Sequence, residues 1–287
     1  MSASETSGDS AAFCADLVRS HDFGRYASTL FVPAAERRAL LALFAFNVEI
    51  FRVRDQVTQP MPGEIRFQWW TDALAGHGHG GVEGNPVAAE LLSAIRNFRL
   101  PAVPLARLIE EHQFDLYNDP MPTMAALESY VTGTYSALFT LAAQIAAPPS
   151  EAIDHLARHA GLAQGLVQVI ANLPHDASRR QLFVPQQLLE RHGTGMEQVF
   201  AGKQTPTLRA VLTELIGEAQ LHLATAFSLL SDVPAEVRPI FLPLALVGRD
   251  LAQLSRADTD PFVPQSMSRL RTLWTLWRAS RSKEFVR

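Results

Sequence analysis

Polar side chains that could act together recur at helical spacing between His159 and Pro185. They form a stripe of small and polar residues at steps of three or four, which are Gly161, Gly165, Gln168, Asn172 and Asp176. His175 stands beside the last of them, and Arg179 and Arg180 follow. Side chains at these steps share one helix face. An amide, an imidazole, a carboxylate and two guanidinium groups are therefore expected at one end of that face.

The two glycines of this helix need an explanation, because each costs about 1 kcal/mol relative to alanine in a helix interior. One alternative is that the stripe lines a cavity between helices and that Gly161 and Gly165 leave room for a ligand. The other is a solvent-facing stripe, or a close crossing of two helices at the glycines. The pattern alone does not separate them. We predict the cavity, with a polar mouth at Asn172, His175 and Asp176.

A second stripe also ends in an aspartate. Leu40, Phe44, Val48, Phe51 and Asp55 follow one another at steps of three or four. A carboxylate at a helix C-terminus opposes the helix dipole by about 0.3–1 kcal/mol when exposed, which favours a local partner or a site over a solvated helix end. If the two helices face each other, they enclose an apolar cleft with a polar mouth. That shape suits a long hydrocarbon with a polar head.

The composition excludes several classes of protein. The 287 residues are 47% hydrophobic and have a formal net charge of −4, which argues against a nucleic-acid-binding surface. Cys14 is the only cysteine, so no intramolecular disulfide is expected and a reducing cytoplasm fits. The start, MSASETSGDS, does not resemble a signal or transit peptide. The apolar stretches Ala39–Phe46 and Pro239–Gly248 are too short to span a bilayer, which leaves peripheral membrane contact open.

The chain is predicted to be all-α, because apolar residues recur at helical spacing and no stretch alternates convincingly at period two. Residues 1–10 are predicted to be disordered, and residues 11–287 to form one helical domain with short loops. The segment Gly76–Pro86 (GHGHGGVEGNP) is predicted to be a surface loop whose histidines do not bind metal. The predicted helices are Ala11–Ser20, Pro33–Val57, Gly63–Gly76, 86–98, 102–117, 123–146, 149–173, 186–192, 195–202, 206–231, 235–257 and 266–281.

Four segments taken together resemble the squalene/phytoene synthases, all-α enzymes that join two isoprenyl diphosphates head to head. They are ALFAFNVEIFRVRDQV, IRFQWWTDAL, YVTGTYSAL and GLAQGLVQVIANLPHDASRRQLFVP. The resemblance covers nearly the whole chain in order and spacing. It implies a single-domain helical bundle of the isoprenoid (trans-prenyl diphosphate) synthase type, with a central cavity.

The same resemblance implies a metal site, and this sequence departs from it twice in the same way. Such enzymes hold Mg²⁺ with carboxylates at i and i+4 on two facing helices, and the metal and nearby arginines bind the diphosphate. At the two aspartate pairs this chain keeps only Asp55 and Asp176, with Phe51 and Asn172 at the leading positions. Other replaced positions are His175 for a glutamate and Val48, Ala171 and Gln181 for arginines.

The segments AFNVEIFRVRDQV, AQGLVQ and HDASRRQLFVP, with the Gln-Trp-Trp segment, look more like one branch of this family, which contains the mitochondrial assembly factor of respiratory complex I. That branch keeps the synthase fold with similarly eroded motifs, and the resemblance implies complex I subunits as partners. Because the amino terminus does not resemble a mitochondrial presequence, the chain is predicted to be a bacterial relative or a mature form, cytoplasmic and free or peripheral to the inner membrane.

Three functional hypotheses follow. The favoured one is a non-catalytic protein that binds an isoprenoid-like lipid or assists complex I assembly, without a cofactor. The others are an active prenyltransferase that uses Mg²⁺ and an isoprenyl diphosphate, and a helical scaffold whose cavity has no role. The resemblance marks Asp55 and Asp176 as candidate ligands of a weak metal site. The predicted substrate contacts are Phe44, Phe51, Gly161, Gly165, Gln168, Asn172, Arg179 and Arg180.

Overall fold

The computed structural model describes residues 3–77, 81, 82, 84–264 and 267–286. Every regular element among these residues is helical, which confirms the all-α prediction. The helices are α1 (Ala3–His21), α2 (Phe23–Ser28), α3 (Ala34–Phe51), α4 (Val53–Gln56), α5 (Pro60–Leu74), α6 (Pro86–Phe98), α7 (Ala102–Glu111), α8 (Met124–Val131), α9 (Ala137–Ala146), α10 (Glu151–Ala171), α11 (Leu173–Ser178), α12 (Gln186–Arg191), α13 (Met196–Phe200), α14 (Pro206–Leu229), α15 (Leu244–Leu254), α16 (Arg269–Ala279) and α17 (Lys283–Val286).

Two segments predicted to be irregular are helical. Helix α1 begins at Ala3, so the prediction of a disordered segment over residues 1–10 is wrong from that residue on. No proline lies upstream of Ala11 to stop the helix. The predicted connection before Pro33 contains α2, whose first turn is capped by Asp22, since its carboxylate accepts from the Arg25 N–H at 3.0 Å. Part of the predicted glycine-rich loop, His79 included, lies outside the described residues.

The two helices that carry the aspartates end earlier than predicted, and each is followed by a short helix. Helix α3 ends at Phe51, and Asp55 lies in α4, where its N–H bonds to the Arg52 carbonyl at 3.1 Å in a tighter 3₁₀-type turn. Helix α10 ends at Ala171. Pro174 lacks an N–H and cannot continue the α-helical ladder. Asp176 therefore lies in α11.

Helix α10 lies at the centre of the molecule. It packs against α9, α14, α15 and the turn between α8 and α9. Leu156, Ala160 and Leu166 are fully buried. A helix that is surrounded on most sides in this way belongs to the core, and it positions the polar residues at its C-terminal end.

The glycines of α10 lie at a close helix crossing. Helices α8 and α9 are joined by a π-helical turn, Thr132–Ser136. A Cβ atom on Gly161 would lie 2.3 Å from the Ser136 nitrogen, and one on Gly165 would lie 2.3 Å from Cγ1 of Val131. The Ser136 hydroxyl also donates to the Arg158 carbonyl at 3.0 Å. The glycines thus let α10 approach the π-helical turn, and they do not leave room for a ligand.

This crossing predicts opposite effects for two helix glycines. Gly161→Ala should lower the free energy of unfolding by about 1–3 kcal/mol, because the new methyl group meets backbone atoms that cannot move freely. Gly217→Ala in α14 is the matched control, since nothing lies within 4 Å of the added Cβ, and it should stabilise the protein by about 0.5–1 kcal/mol. Urea denaturation of both variants measures the difference. Equal effects would contradict the crossing.

Candidate functional site

Two adjoining cavities lie between the end of α3 and the end of α10. The first, here the Arg25 cavity, measures about 360 Å³ and is lined by residues that include Arg25, Asn47, Leu138 and Gln164. The second, here the Asp176 cavity, measures about 260 Å³ and is lined by residues that include Asp115, Val169, Asp176 and Phe183. Both are lined by the same four side chains, which stand at their boundary and are Phe51, Asp55, Tyr135 and Gln168.

An ion pair lies at the mouth of the Asp176 cavity. The Arg179 guanidinium pairs with the Asp55 carboxylate, and its Nη2 also donates to the Arg54 carbonyl at 2.9 Å. This pair joins α4 to the residue that follows α11, so it ties together the ends of the two facing helices. His175 lies between the carboxylates, with its Nε2 3.6 Å from Asp55 and its Nδ1 3.5 Å from Asp176.

Asp176 is buried inside this mouth, with 8% of its surface exposed. The pKa of its carboxyl is raised from 3.8 to about 7, mainly by burial and also by the negative charges of Asp115 and Asp55, while Arg179 opposes the increase. Near neutral pH the side chain is therefore protonated in a large fraction of molecules. A protonated carboxyl is a hydrogen-bond donor and a poor ligand for a metal.

A buried cluster of three polar side chains adjoins both cavities, since His112 lines the Arg25 cavity and Asp115 and Tyr130 line the Asp176 cavity. His112 Nδ1 lies 2.7 Å from one oxygen of Asp115, and the Tyr130 hydroxyl donates to the other at 2.8 Å. The Gln181 side chain donates to the Asp115 carbonyl at 3.2 Å. Burial and the nearby Asp115 carboxylate raise the pKa of Tyr130 well above its ordinary value. The tyrosine is thus a permanent donor, and the cluster is internally satisfied.

The Arg25 cavity holds a buried guanidinium. Arg25 is 7% exposed. Its Nη1 pairs with Asp22 at 2.7 Å, and its Nη2 donates to the Gln164 oxygen at 3.2 Å. Its carbon lies 5.7 Å from the centre of the Phe44 ring. Because the Asp22 carboxylate pairs with it, the charge of the guanidinium is neutralised within the protein.

The structure brings together part of the predicted site. Phe51, Gln168, Asn172, Arg179, Asp55 and Asp176 all line the Asp176 cavity. The amide of Gln168 donates to Asn172 at 2.7 Å, so the two predicted polar contacts also hold each other. The predicted arrangement of two aspartates at one cleft is thus present, while their predicted role as metal ligands stays a prediction.

Four of the predicted ligand contacts lie elsewhere. Gly161 and Gly165 face the π-helical turn, as described above, and were wrongly predicted to line the cavity. Phe44 lies in the core beneath Arg25 and lines neither cavity. Arg180 adopts a left-handed backbone (φ 54°), which directs its side chain to Glu197 at 2.6 Å and over the Phe200 ring at 4.8 Å.

Sequence reasoning missed the residues contributed by other segments. Arg25, His112, Asp115 and Tyr135 line the cavities but come from α2, the 3₁₀ segment after α7 and the π-helical turn. The one local signal was the His-x-x-Asp spacing of His112 and Asp115. That spacing brings two polar side chains onto the same side of a helical turn.

The donor set at the mouth does not fit a magnesium site. Among the residues that the structure describes, no group of three or more His, Cys, Asp and Glu side chains is placed to hold a metal ion. Asp55 is engaged by Arg179, and Asp176 has a pKa near neutrality. Mg²⁺ requires near-octahedral coordination by oxygen atoms, including ionised carboxylates. The mouth presents one ion-paired carboxylate, one carboxyl with a raised pKa, an amide and an imidazole.

Comparison with known sequences identifies relatives over most of the chain. The squalene/phytoene synthase family model matches residues 18–278. The NADH dehydrogenase (ubiquinone) complex I assembly factor 6 of Rattus norvegicus is 34% identical, over 93% of this chain and 80% of its own length. The human protein of that name is 31% identical over 92% of this chain and 79% of its own. A phytoene synthase of Thermus thermophilus is 24% identical, over 82% of this chain and 83% of its own.

Solved structures support the fold. A dehydrosqualene synthase in complex with ligand superposes with a TM-score of 0.81 at 14% identity, over 96% of this chain and 97% of its own. A squalene synthase from Alicyclobacillus acidocaldarius gives a TM-score of 0.73 at 21% identity, over 85% of this chain and 92% of its own. These values confirm the predicted isoprenoid synthase fold.

The burial of Asp176 predicts a pH dependence of stability. The folded protein keeps this proton up to about pH 7, whereas the unfolded chain releases it near 3.8. Proton release therefore favours unfolding as the pH rises from about 4 to 7. Relative to Asp176→Asn, which does not titrate, the wild type should lose on the order of a few kcal/mol of unfolding free energy across that window.

Chemical denaturation between pH 4 and 8 measures this difference. Asp119→Asn, at an exposed aspartate, is the control. Its unfolding free energy should change with pH as that of the wild type does. A stability difference between Asp176→Asn and wild type that does not change with pH would contradict the protonated carboxyl.

Proposed function

Because the chain belongs to the squalene/phytoene synthase family, we propose that it is a non-catalytic member that holds an isoprenoid or quinone-like lipid in its cleft and assists the assembly of respiratory complex I. The observation that carries this proposal is the ion pair between Arg179 and Asp55 across the mouth of the cleft. It occupies the groups that a synthase-like mechanism would need for metal and diphosphate.

The electrostatics of the mouth support the loss of catalysis. Departure of a diphosphate leaves high negative charge, which metal ions and free arginines must stabilise. In this chain Arg179 pairs with Asp55 and Arg25 pairs with Asp22. A diphosphate would have to displace a carboxylate from each of these two arginines, whereas Arg52 and Arg54, which also line the cavities, stay outside this argument. We therefore propose that no Mg²⁺ is used and that no diphosphate is cleaved.

The walls of the cleft support a lipid ligand. The Arg25 cavity of about 360 Å³ falls within the usual range for ligand pockets. Phe51, Tyr135, Leu138 and Val48 contribute apolar surface to it, and Phe183 and Val169 contribute to the Asp176 cavity. Polar side chains line much of the Arg25 cavity as well, among them Asn47, Gln164 and Gln168. In this proposal the apolar surface holds a prenyl chain, and the polar groups meet its uncharged head.

The assembly part of the proposal rests on the relatives. Proteins named as complex I assembly factor 6 match at 34% and 31% identity over more than nine tenths of this chain. The similarity extends over the whole bundle and is not confined to one segment. Conservation of function across such a match favours a role in assembling the same complex.

Complex I is a membrane complex, so the proposal places the protein at the cytoplasmic surface of the inner membrane, in contact with complex I subunits and without nucleic-acid partners. Among the described residues, no helix is both long and apolar enough to cross a bilayer. The proposed location is therefore peripheral.

Direct binding tests the lipid part. Titration with trans,trans-farnesol, followed by calorimetry, should give the same dissociation constant in Mg²⁺ and in EDTA. Phe51→Asp should weaken farnesol binding by about 10- to 100-fold, because it places a charge in the wall of both cavities. Phe13→Asp is the matched control, since Phe13 is 47% exposed and Phe51 is 39% exposed, and Phe13 lines neither cavity.

Absence of farnesol binding to the wild type, or equal binding by Phe51→Asp, would remove the lipid part of the proposal. Binding of farnesyl diphosphate that requires Mg²⁺ and exceeds farnesol binding would instead favour the prenyltransferase hypothesis. These outcomes concern the ligand and leave the assembly part to a separate test.

Genetic complementation tests the assembly part. Deletion of the gene in its own cell should lower NADH:quinone oxidoreductase activity and the amount of intact complex I in membranes. The variant Asp55→Asn/Asp176→Asn lacks the two carboxylates that a metal-dependent synthase needs. It should still restore both, because a non-catalytic role does not require them. A variant that accumulates as folded protein yet fails to restore complex I would contradict a non-catalytic role. Normal complex I after deletion would contradict the assembly role itself.

A further inference from the structure

Helix α16 presents two tryptophans to solvent. Trp274 is 61% exposed and Trp277 is 40% exposed, and Leu270 on the same helix is 80% exposed. The two indole rings stack with their centres 5.1 Å apart. Leu270, Trp274 and Trp277 are spaced by four and three residues, so they form one continuous apolar stripe along the helix. Such a stripe is costly in water and marks an interaction surface.

The opposite face of the helix anchors it to the protein. Thr272 and Leu276 are buried, and α16 packs against α15 and α2. The Arg269 guanidinium lies 5.0 Å from the centre of the Phe23 ring in α2. Because the inner face is held in this way, the tryptophan stripe is a fixed feature of the surface.

Basic residues border the stripe. The charged residues between Ser268 and Phe285 are Arg269, Arg271, Arg278, Arg281, Lys283 and Glu284. All but one are basic, in a protein whose formal net charge is −4. Arg271 and Arg278 lie roughly a quarter-turn from the tryptophans, and Arg281 stacks 4.3 Å from the Trp277 ring. This local positive charge complements an anionic surface.

An apolar groove continues the stripe towards α17. It measures about 510 Å³ and is lined by residues that include Phe227, Ala245, Trp274, Ala279 and Phe285. Thr275, Arg278, Ser282 and Glu284 also line it. The apolar side chains suit an acyl chain, and the Arg278 guanidinium suits a head group that carries a phosphate.

We infer that the α16 face, defined by Leu270, Trp274, Trp277, Arg271 and Arg278, docks the protein onto a membrane surface that contains anionic lipids. Tryptophans favour the level of the lipid head groups, where the ring is partly buried and its N–H can bond to water. Each arginine near an anionic surface adds attraction that falls with salt. The inference does not depend on a ligand in the cleft.

Vesicle sedimentation tests this inference. Full-length protein should bind vesicles of phosphatidylcholine with phosphatidylglycerol at least about tenfold more tightly than vesicles of phosphatidylcholine alone. Binding should fall as salt rises and should shift the tryptophan fluorescence to the blue. Trp274→Ala/Trp277→Ala should lower the affinity at least about tenfold. The matched control is Met61→Ala/Ile65→Ala on α5, where both side chains are as exposed as Trp274.

A second pair of variants tests the contribution of the basic residues to vesicle binding. Arg278→Gln should weaken binding to anionic vesicles and reduce its salt dependence. Arg96→Gln should change neither, although Arg96 is also exposed in the last turn of its helix, α6. Circular dichroism and thermal unfolding verify that each variant is folded. Phe51→Asp should bind vesicles like the wild type, which separates this surface from the cleft.

Three results would overturn the inference. They are failure of the wild type to bind anionic vesicles, equal binding by the Trp274→Ala/Trp277→Ala variant, and equal binding to neutral and anionic vesicles. Sedimentation velocity without lipid provides a further check. A stable dimer that dissociates in the tryptophan variant would assign the α16 face to a second copy of the chain instead.

Discussion

The close contact between α10 and the π-helical turn is the constraint on which the rest of the structure depends. At Gly161 and Gly165 the helix backbone touches side chains and backbone of that turn, and any larger residue would push the two apart. The contact fixes the turn that presents Tyr135 to the cleft and the helix that presents Gln168. The shape of the cleft thus depends on a helix crossing that leaves no empty space at the two glycines.

The polar groups around the cleft are stabilised within the protein. Three carboxylates lie close to one another in a partly desolvated space, where like charges repel strongly. Asp55 is neutralised by Arg179, and Asp115 is held by the buried cluster behind it. Asp176 keeps its proton up to about pH 7. Each of the three carboxyl groups is therefore either paired with groups of the protein or has a raised pKa.

Much of the fold could be predicted from the sequence, because long amphipathic helices leave a clear period. The pairing of the two aspartates at one cleft was also predictable, although only through the resemblance to a family. The role of Gly161 was not predictable, since a glycine on a helix face fits a cavity and a close crossing equally well. The breaks before Asp55 and Asp176 shifted both residues into short helices. Pro174 signalled one of these breaks, while the other had no local signal.

The residues missed from the sequence share one property. Arg25, His112 and Tyr135 reach the cleft from segments far apart in the chain, and their types are ordinary for surface or core positions. Only tertiary packing gives them a common location. These additional residues explain why the cleft is more polar than the two apolar stripes alone implied. They also explain why more of its charged side chains have a partner of opposite charge.

Pyrophosphate release tests the central claim most directly. Purified protein is incubated with farnesyl diphosphate and Mg²⁺, once at a concentration far below that of the substrate and once at an equal concentration. Free pyrophosphate is measured over hours. The ion pair that occupies Asp55 and Arg179 predicts release no faster than in the Asp55→Asn/Asp176→Asn variant. Release that depends on Mg²⁺, and that this variant loses, would contradict the claim, because it would show that the site cleaves a diphosphate.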